Sequence, residues 1–325
     1  MRKRIPPKTF LKTLCAGAAV LAALILIEHL LPMAYGQRRM VSAADPIGSG
    51  KNCSQIPAPA AAASAGYSNL AFCDDFNSEA TIDVHGTGGP GYQWYPHTPG
   101  NDLSPDRFSV ANSALTLEDS GVHNSWGLAT WDYRTHNGRT FQFGYFEARI
   151  DFDPALRPPG DCGPGSCWPA LWALSVRHVS AHLLQKDPTP WTELDIFEAF
   201  RGNRGPHYAF FGGTAHVWKY DSSRGDLTDF RSKNNTQGTL VDWTRWHVVG
   251  CLWTKDSLTW YLDGKKVLEQ SYPGGGYGNP PAKAEGGKAP VPKGVFQLLN
   301  SDPVFLILGS GPNWPMNVDW VRVWR

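Results

Sequence analysis

Three carboxylates fall within six residues, Glu193-Leu-Asp195-Ile-Phe-Glu198, and the run is bracketed by Trp191 and Phe200. Acids in so aromatic a segment suit hydrolysis of a sugar acetal. That reaction needs one carboxylate to attack or stabilise an oxocarbenium-like carbon, and one carboxylic acid to protonate the leaving oxygen. Strand periodicity sets Glu193 and Asp195 on one face and Leu194 and Ile196 on the other. Strict alternation would turn Glu198 inward, so a one-residue bulge near Ile196 or Phe197 is expected, returning Glu198 to the side of the other two acids. A helix would point residues 193 and 198 well apart, and the segment is rich in β-formers. Taken alone, the six residues leave a solvated acidic edge strand open.

The elements that must position these acids read as strands. From Tyr67 onward, short apolar or alternating runs recur between turn signals, at 70–73, 108–117, 127–133, 141–152, 191–200, 208–218, 246–253, 258–262, 304–309 and 318–324. Such a pattern predicts an all-β sandwich or closed antiparallel sheet rather than a βαβ protein. Two Pro/Gly-rich loops interrupt it. The first, 153–166, is expected to overhang one end of a cleft; the second, 274–294, to be disordered or part of a binding rim.

The acid motif resembles the active-site signature of glycoside hydrolase family 16, the laminarinase, agarase and carrageenase enzymes. Five further segments are similar to that family and fall in its order: Gly144-Tyr-Phe-Glu147-Ala-Arg149-Ile, Trp168-Pro-Ala-Leu-Trp172, Trp246-His247, Trp260-Tyr-Leu-Asp263-Gly264 and the closing Pro315 to Trp324 run. The resemblance spans roughly residues 70 to 325. It implies a concanavalin A-like β-jelly-roll sandwich of two antiparallel sheets with a concave substrate cleft. It also implies that Glu193 is the nucleophile, Glu198 the acid/base, and Asp195 the acid between them that raises its neighbours' proton affinity by like-charge coupling. The implied activity is that of a retaining endo-β-glycosidase. The bulged spacing is similar to that of the laminarinase, agarase and carrageenase side of the family, which points to β-1,3-glucan or a β-galactan. No basic cluster surrounds the motif, which argues against a heavily sulfated polymer. A transglycosylase would use the same residues, and a noncatalytic carbohydrate-binding protein of this fold would normally lack one or more of the acids.

Fourteen Trp, eleven Tyr and fifteen Phe support a carbohydrate ligand, because sugar C–H faces stack on aromatic rings. The resemblance makes Trp168 and Trp172 the first candidates for subsite walls. Trp218 and His216 share one face of another strand, and Trp191 shares the face of Glu193. His216 would orient the acids or donate to a sugar hydroxyl. Trp246, Trp253 and Trp260 are expected to fill the sandwich. Glu147 and Arg149 share a face with Tyr145 and read either as polar contacts to sugar or acids, or as a structural ion pair. No cofactor is expected: His207, His216 and His247 lack a compact zinc spacing, and no dinucleotide, Walker or Gly-x-Ser-x-Gly motif occurs. Asp319 matches a position where relatives hold calcium, but a single acid reads as packing support.

Arg2, Lys3, Arg4, Lys8 and Lys12 precede an apolar run over 14–27, and Ala34-Tyr-Gly36 supplies small residues. Residues 1–36 therefore read as a signal peptide or, extended through 14–33, an uncleaved anchor. The expected location is secreted or periplasmic. Residues 37–66, rich in Ala, Pro and Ser, read as a flexible spacer, and 67–325 as one monomeric catalytic domain. Without residues 1–36, which hold five bases and one acid, the formal charge falls from +1 to −3. No basic stripe remains for nucleic acid. Cys53 with Cys73 and Cys162 with Cys167 are plausible disulfides, and Cys251 reads as buried and free; all five reduced is the alternative.

Overall fold

The computed structural model describes residues 53, 56–98, 102–118, 127–156, 169–180, 189–201, 206–221, 226–232, 239–271, 294–309 and 315–325. The apolar run 14–33, the start of the spacer, Trp168, Cys162 and Cys167, and most of both Pro/Gly-rich loops lie outside the described residues.

Two antiparallel sheets enclose one core. The first contains β1 (Leu70–Asp74), β2 (Phe108–Ala111), β3 (Ala114–Leu117), β5 (Gly144–Asp151), β11 (His247–Trp253), β12 (Ser257–Leu262), β13 (Lys265–Ser271) and β15 (Met316–Trp324). Its order is β13-β12-β11-β5-β15-β3-β2, with β1 also paired to β15. The second contains β4 (Leu128–Ala129), β6 (Ala170–Ser175), β7 (Trp191–Arg201), β8 (Tyr208–Asp221), β9 (Asp226–Arg231), β10 (Leu240–Asp242) and β14 (Val304–Gly309). Its order is β10-β8-β7-β6-β14-β4, with β9 also paired to β8. This is the jelly-roll sandwich.

Alternation sorts the side chains. Phe146, Ala148 and Ile150 of β5 and Val249, Cys251 and Trp253 of β11 meet Leu194, Ile196 and Phe197 of β7 and Phe211, Ala215 and Val217 of β8 in the shared core. Asn112 and Ser113 both have positive φ, 54° and 55°, so the β2–β3 run folds back as a tight hairpin. Trp260 of β12 reaches across the core, and its Nε1 donates to the Asp195 carbonyl at 2.8 Å. Gly213 makes that reach possible: a Cβ there would stand 2.3 Å from Trp260 Cδ1. Gly213→Ala should therefore cost about 1–3 kcal/mol of stability by overpacking, read as a lower midpoint in thermal unfolding. An unchanged midpoint would show that the indole is free to move.

Two expectations are corrected here. The spacer does not extend to residue 66: Ala60–Ser64 forms a short helix, α1, and fully buried Ala62 packs with Tyr145 and Trp324 on the outer face of the first sheet. Small alanines let the backbone lie close, and Ile56 and Tyr67 extend the contact. A disulfide between Cys53 and Cys73 ties this arm to β1, while Cys251 is buried and free. Membrane anchoring is not retained either. No helix among the described residues is long and apolar enough to cross a membrane, and the run 14–33 lies outside them.

Candidate active site

The backbone of β7 slips by one residue in the middle of the acid motif. Asp195 pairs with Thr214 of β8 and Glu198 with Gly212, three residues opposite two. On the other side Asp195 faces Trp172 of β6 while Phe197 faces Leu171. The extra residue sends both Ile196 and Phe197 into the core, each fully buried. Glu193, Asp195 and Glu198 consequently share the outer face of the second sheet. Trp260 anchors the irregular stretch from below through the Asp195 carbonyl.

Around the acids the structure builds a charged chain. His216 Nε2 lies 3.0 Å from Asp195 Oδ2, and its Nδ1 lies 2.7 Å from Asp229 Oδ1. Arg231 Nε sits 2.7 Å from the second oxygen of Asp229. Burial opposes protonation of His216, but contacts with Asp195 and Asp229 and the Glu193 charge outweigh it and hold its pKa well above the usual imidazole range. Trp218 Nε1 donates to Glu193 Oε2 at 3.1 Å. Burial, followed by the Asp195 charge, drives both Glu193 and Glu198 upward, with His216 pulling the other way. Two differences split the pair. The Trp218 hydrogen bond favours ionised Glu193, whereas a hydrogen bond with Asp195 favours protonated Glu198.

Trp218→Phe should separate these effects, because it keeps a ring beside His216, stacked now at 5.4 Å, and deletes only the donor. Loss of a hydrogen bond to a carboxylate should cost about tenfold or more in kcat/KM. Glu193 would then ionise at higher pH, so the acid limb of the activity profile should move upward. An unmoved acid limb would detach Trp218 from Glu193.

Trp131, Trp172, Trp191, Trp218 and Phe305 form an apolar surface on the acid-bearing side. Half-buried Trp172 and Trp218 remain accessible. Trp191 is not an open platform: it is 5 % exposed and His178 stacks on it at 4.0 Å. His216 has both ring nitrogens turned to carboxylates, which leaves neither pointing at open solvent. For Glu147 and Arg149 the reading as contacts to sugar or acids is corrected, and the reading as structural ion pairing stands. With Phe146, Ala148 and Ile150 of β5 in the core, they point to the outer face of the first sheet, the whole core away from the acids. There Arg149 pairs with Asp319 and lies 5.0 Å over Trp246, which thus stacks outside the sandwich instead of filling it. Glu147 faces Arg322 across β15, and burial pushes its pKa up to about 8 against that charge. A cation at Asp319 would have to displace Arg149.

Several partners of the site carry no motif. Asp229 sits on a polar strand that periodicity does not reveal. Asp302 is fully buried and accepts from Thr192 N and Oγ1, each at 2.9 Å, and from Ser175 Oγ at 2.8 Å, fixing the start of β7 beside the end of β6. As metal ligands, Glu193, Asp195 and His216 offer donor atoms within 4.8 Å of one another. An imidazole held protonated between two carboxylates is a poor ligand, however. Cys53, Cys73 and Asp75 also cluster, but those sulfurs form the disulfide.

No family model matches the chain. Endo-1,3-1,4-β-glycanase EglC of Rhizobium meliloti is 27 % identical over 231 residues, covering 62 % of this chain and 42 % of that protein. Endo-1,3-1,4-β-glycanase ExsH of the same organism is 27 % identical over 195 residues, covering 56 % and 34 %. The chain is similar to these endo-1,3-1,4-β-glycanases. It spans less than half the length of those curated relatives. Among solved structures, SCLam, a non-specific endo-β-1,3(4)-glucanase from family GH16, aligns with a TM-score of 0.45 and 18 % identity over 85 % of this chain and 99 % of its own.

Proposed function

We propose that this chain is a retaining endo-β-glycosidase acting on a polysaccharide with β-1,3 bonds, a glucan before a galactan. The observation that carries the reading is the bulge of β7, which turns Glu193, Asp195 and Glu198 to one face. Glu193 and Glu198 flank Asp195 on that face, and double displacement takes such a pair at a separation of roughly 5 Å rather than the wider gap that must hold a water. Glu193, the acid that receives the Trp218 hydrogen bond, attacks the anomeric carbon. Glu198 protonates the glycosidic oxygen and then activates water. Asp195, with His216 behind it, sets the proton affinities of both. Trp172 and Trp218 offer rings on which sugar faces stack. The named activities of the curated relatives, both endo-1,3-1,4-β-glycanases, favour β-1,3 or mixed β-1,3-1,4 linkages.

The test is a panel of laminarin, mixed-linkage glucan, agarose and carrageenan with reducing-end detection. Laminarin or mixed-linkage glucan should release reducing ends, and proton NMR at early times should show the β-anomer first. An α-anomer appearing first would sink retention, and no cleavage of any β-glucan would sink the substrate class. Longer chains formed from an added oligosaccharide acceptor would make the enzyme a transglycosylase. The pH profile should be a bell. Activity needs Glu193 ionised and falls below its pKa, and needs Glu198 protonated and falls above its own. Since both are raised, the optimum should lie clearly above the ordinary Glu range near 4.3.

A further inference from the structure

Double displacement needs two acids and tolerates a third as tuner, yet a fourth carboxylate is buried beside them. Asp229 is fully buried, and a buried carboxylate is costly unless it is paired. Both oxygens have a charged or polar neighbour: Oδ1 hydrogen-bonds His216 Nδ1 at 2.7 Å, and Oδ2 is ion-paired with Arg231 Nε at 2.7 Å. Register explains how it gets there. On β9, Asp229 stands opposite Trp218 and Arg231 opposite His216, while Phe230 turns inward against the core. The outward face of β9 therefore lays a carboxylate and a guanidinium directly behind the histidine.

We propose that Asp229, braced by Arg231, is a positioning residue for the acid site: it fixes the His216 ring through Nδ1 and so turns Nε2 toward Asp195. The inference rests on the glycosidase reading for its effect on turnover, but not for its effect on the ring. An imidazole between two carboxylates keeps protons on both nitrogens. Its positive charge holds Asp195 in place and favours ionised Glu193. With Asn at position 229 the amide oxygen still accepts from Nδ1, but one of the two charges that keep the ring protonated is gone. The ring then loses its Nε2 proton at lower pH and presents a lone pair to the Asp195 carboxylate. The charges facing His216 are Glu193, Asp195 and Glu198 from β7 and Asp229 and Arg231 from β9, with Trp218 stacked on its own strand. Without the cation, Glu193 and Glu198 both hold their protons to higher pH, and this outweighs the smaller opposite effect on Glu193 of losing the Asp229 charge itself.

The experiment compares Asp229→Asn, Arg231→Gln and wild type by kcat against pH on laminarin, and by nitrogen NMR of the histidine rings, with His216→Gln assigning the resonance. In Asp229→Asn both limbs should move upward, the acid limb by about one pH unit, which is about a tenfold loss of kcat on that limb. Arg231→Gln should move them the same way by less. Wild-type His216 should stay doubly protonated through neutral pH and titrate lower in Asp229→Asn. Limbs that coincide with wild type, even with a lower kcat, would reduce Asp229 to packing and overturn the proposal. If Asp229→Asn does not fold, Arg231→Gln and the wild-type ring decide: a singly protonated His216 at neutral pH overturns it. If wild type cleaves no glycan, the glycosidase reading fails and the ring titration still tests Asp229.

Discussion

Glu193→Gln is expected to leave thermal unfolding near that of wild type while lowering kcat by roughly four orders of magnitude or more. The amide matches the carboxylate in shape, and its oxygen can still accept from Trp218 Nε1, so neither packing nor that hydrogen bond is lost. What disappears is the charge that attacks the anomeric carbon. Removing a negative charge from beside Asp195 also relieves repulsion, so oligosaccharide binding should persist. Glu193→Ala opens space for an external nucleophile, and azide should then restore turnover, giving a glycosyl azide of inverted anomeric configuration. Near-wild-type kinetics in the Gln variant would remove Glu193 from its role. Rescue without inversion would mean that azide enters from the wrong side and that another group attacks.

Glu198→Ala should divide substrates by their leaving groups. Polysaccharide cleavage needs a proton on the departing oxygen and should slow by about 10²–10⁴-fold, whereas formation of the glycosyl-enzyme from an aryl glycoside with an acidic phenol should change far less. The pH profile supplies a second readout. Burial and the Asp195 charge hold the Glu198 pKa well above its ordinary value, so on the alkaline side wild-type activity declines as rising pH strips that proton. The variant has no such proton to lose, and its alkaline limb should flatten. Equal losses on both substrates would make Glu198 a positioning group, and an unchanged alkaline limb would assign the proton to another acid.

Much of the site is legible in six residues because a strand has a period of two. Leu194 and Ile196 must be buried, Glu193 and Asp195 must not, and the odd spacing to Glu198 can be reconciled only by an extra residue. The structure puts that residue at Ile196–Phe197, with both side chains in the core. The same logic misleads at Glu147 and Arg149. Alternation correctly places them on one face with Tyr145, but periodicity along β5 does not say which sheet that face belongs to. Aromatic count misleads too. Trp94, Trp243, Trp253 and Trp260 are fully buried in the core, so only some of the indoles border the acids. The strands β6, β9 and β13 escape the pattern for different reasons. Ala170 to Ser175 is covered on both faces and hardly alternates, β9 is mostly polar, and β13 is a lysine-bearing strand at the sheet edge.

By itself the sequence determined the strand class, the facing of the three acids and the need for a bulge, because each follows from side-chain alternation within a single segment. Only the tertiary structure decided what surrounds them. The His216–Asp229–Arg231 chain joins β8 to β9, Trp260 arrives from the opposite sheet to hold the Asp195 carbonyl, and His178 covers Trp191 from the β6–β7 connection. Apart from Asp229 with Arg231 within β9, those contacts link residues from 13 to 65 positions apart, and nothing in the local pattern of either partner specifies the other. Proton affinity at the acids depends on these long-range neighbours through burial and nearby charge, so the chemistry of the site is set by strand order and register, which a one-dimensional pattern does not encode.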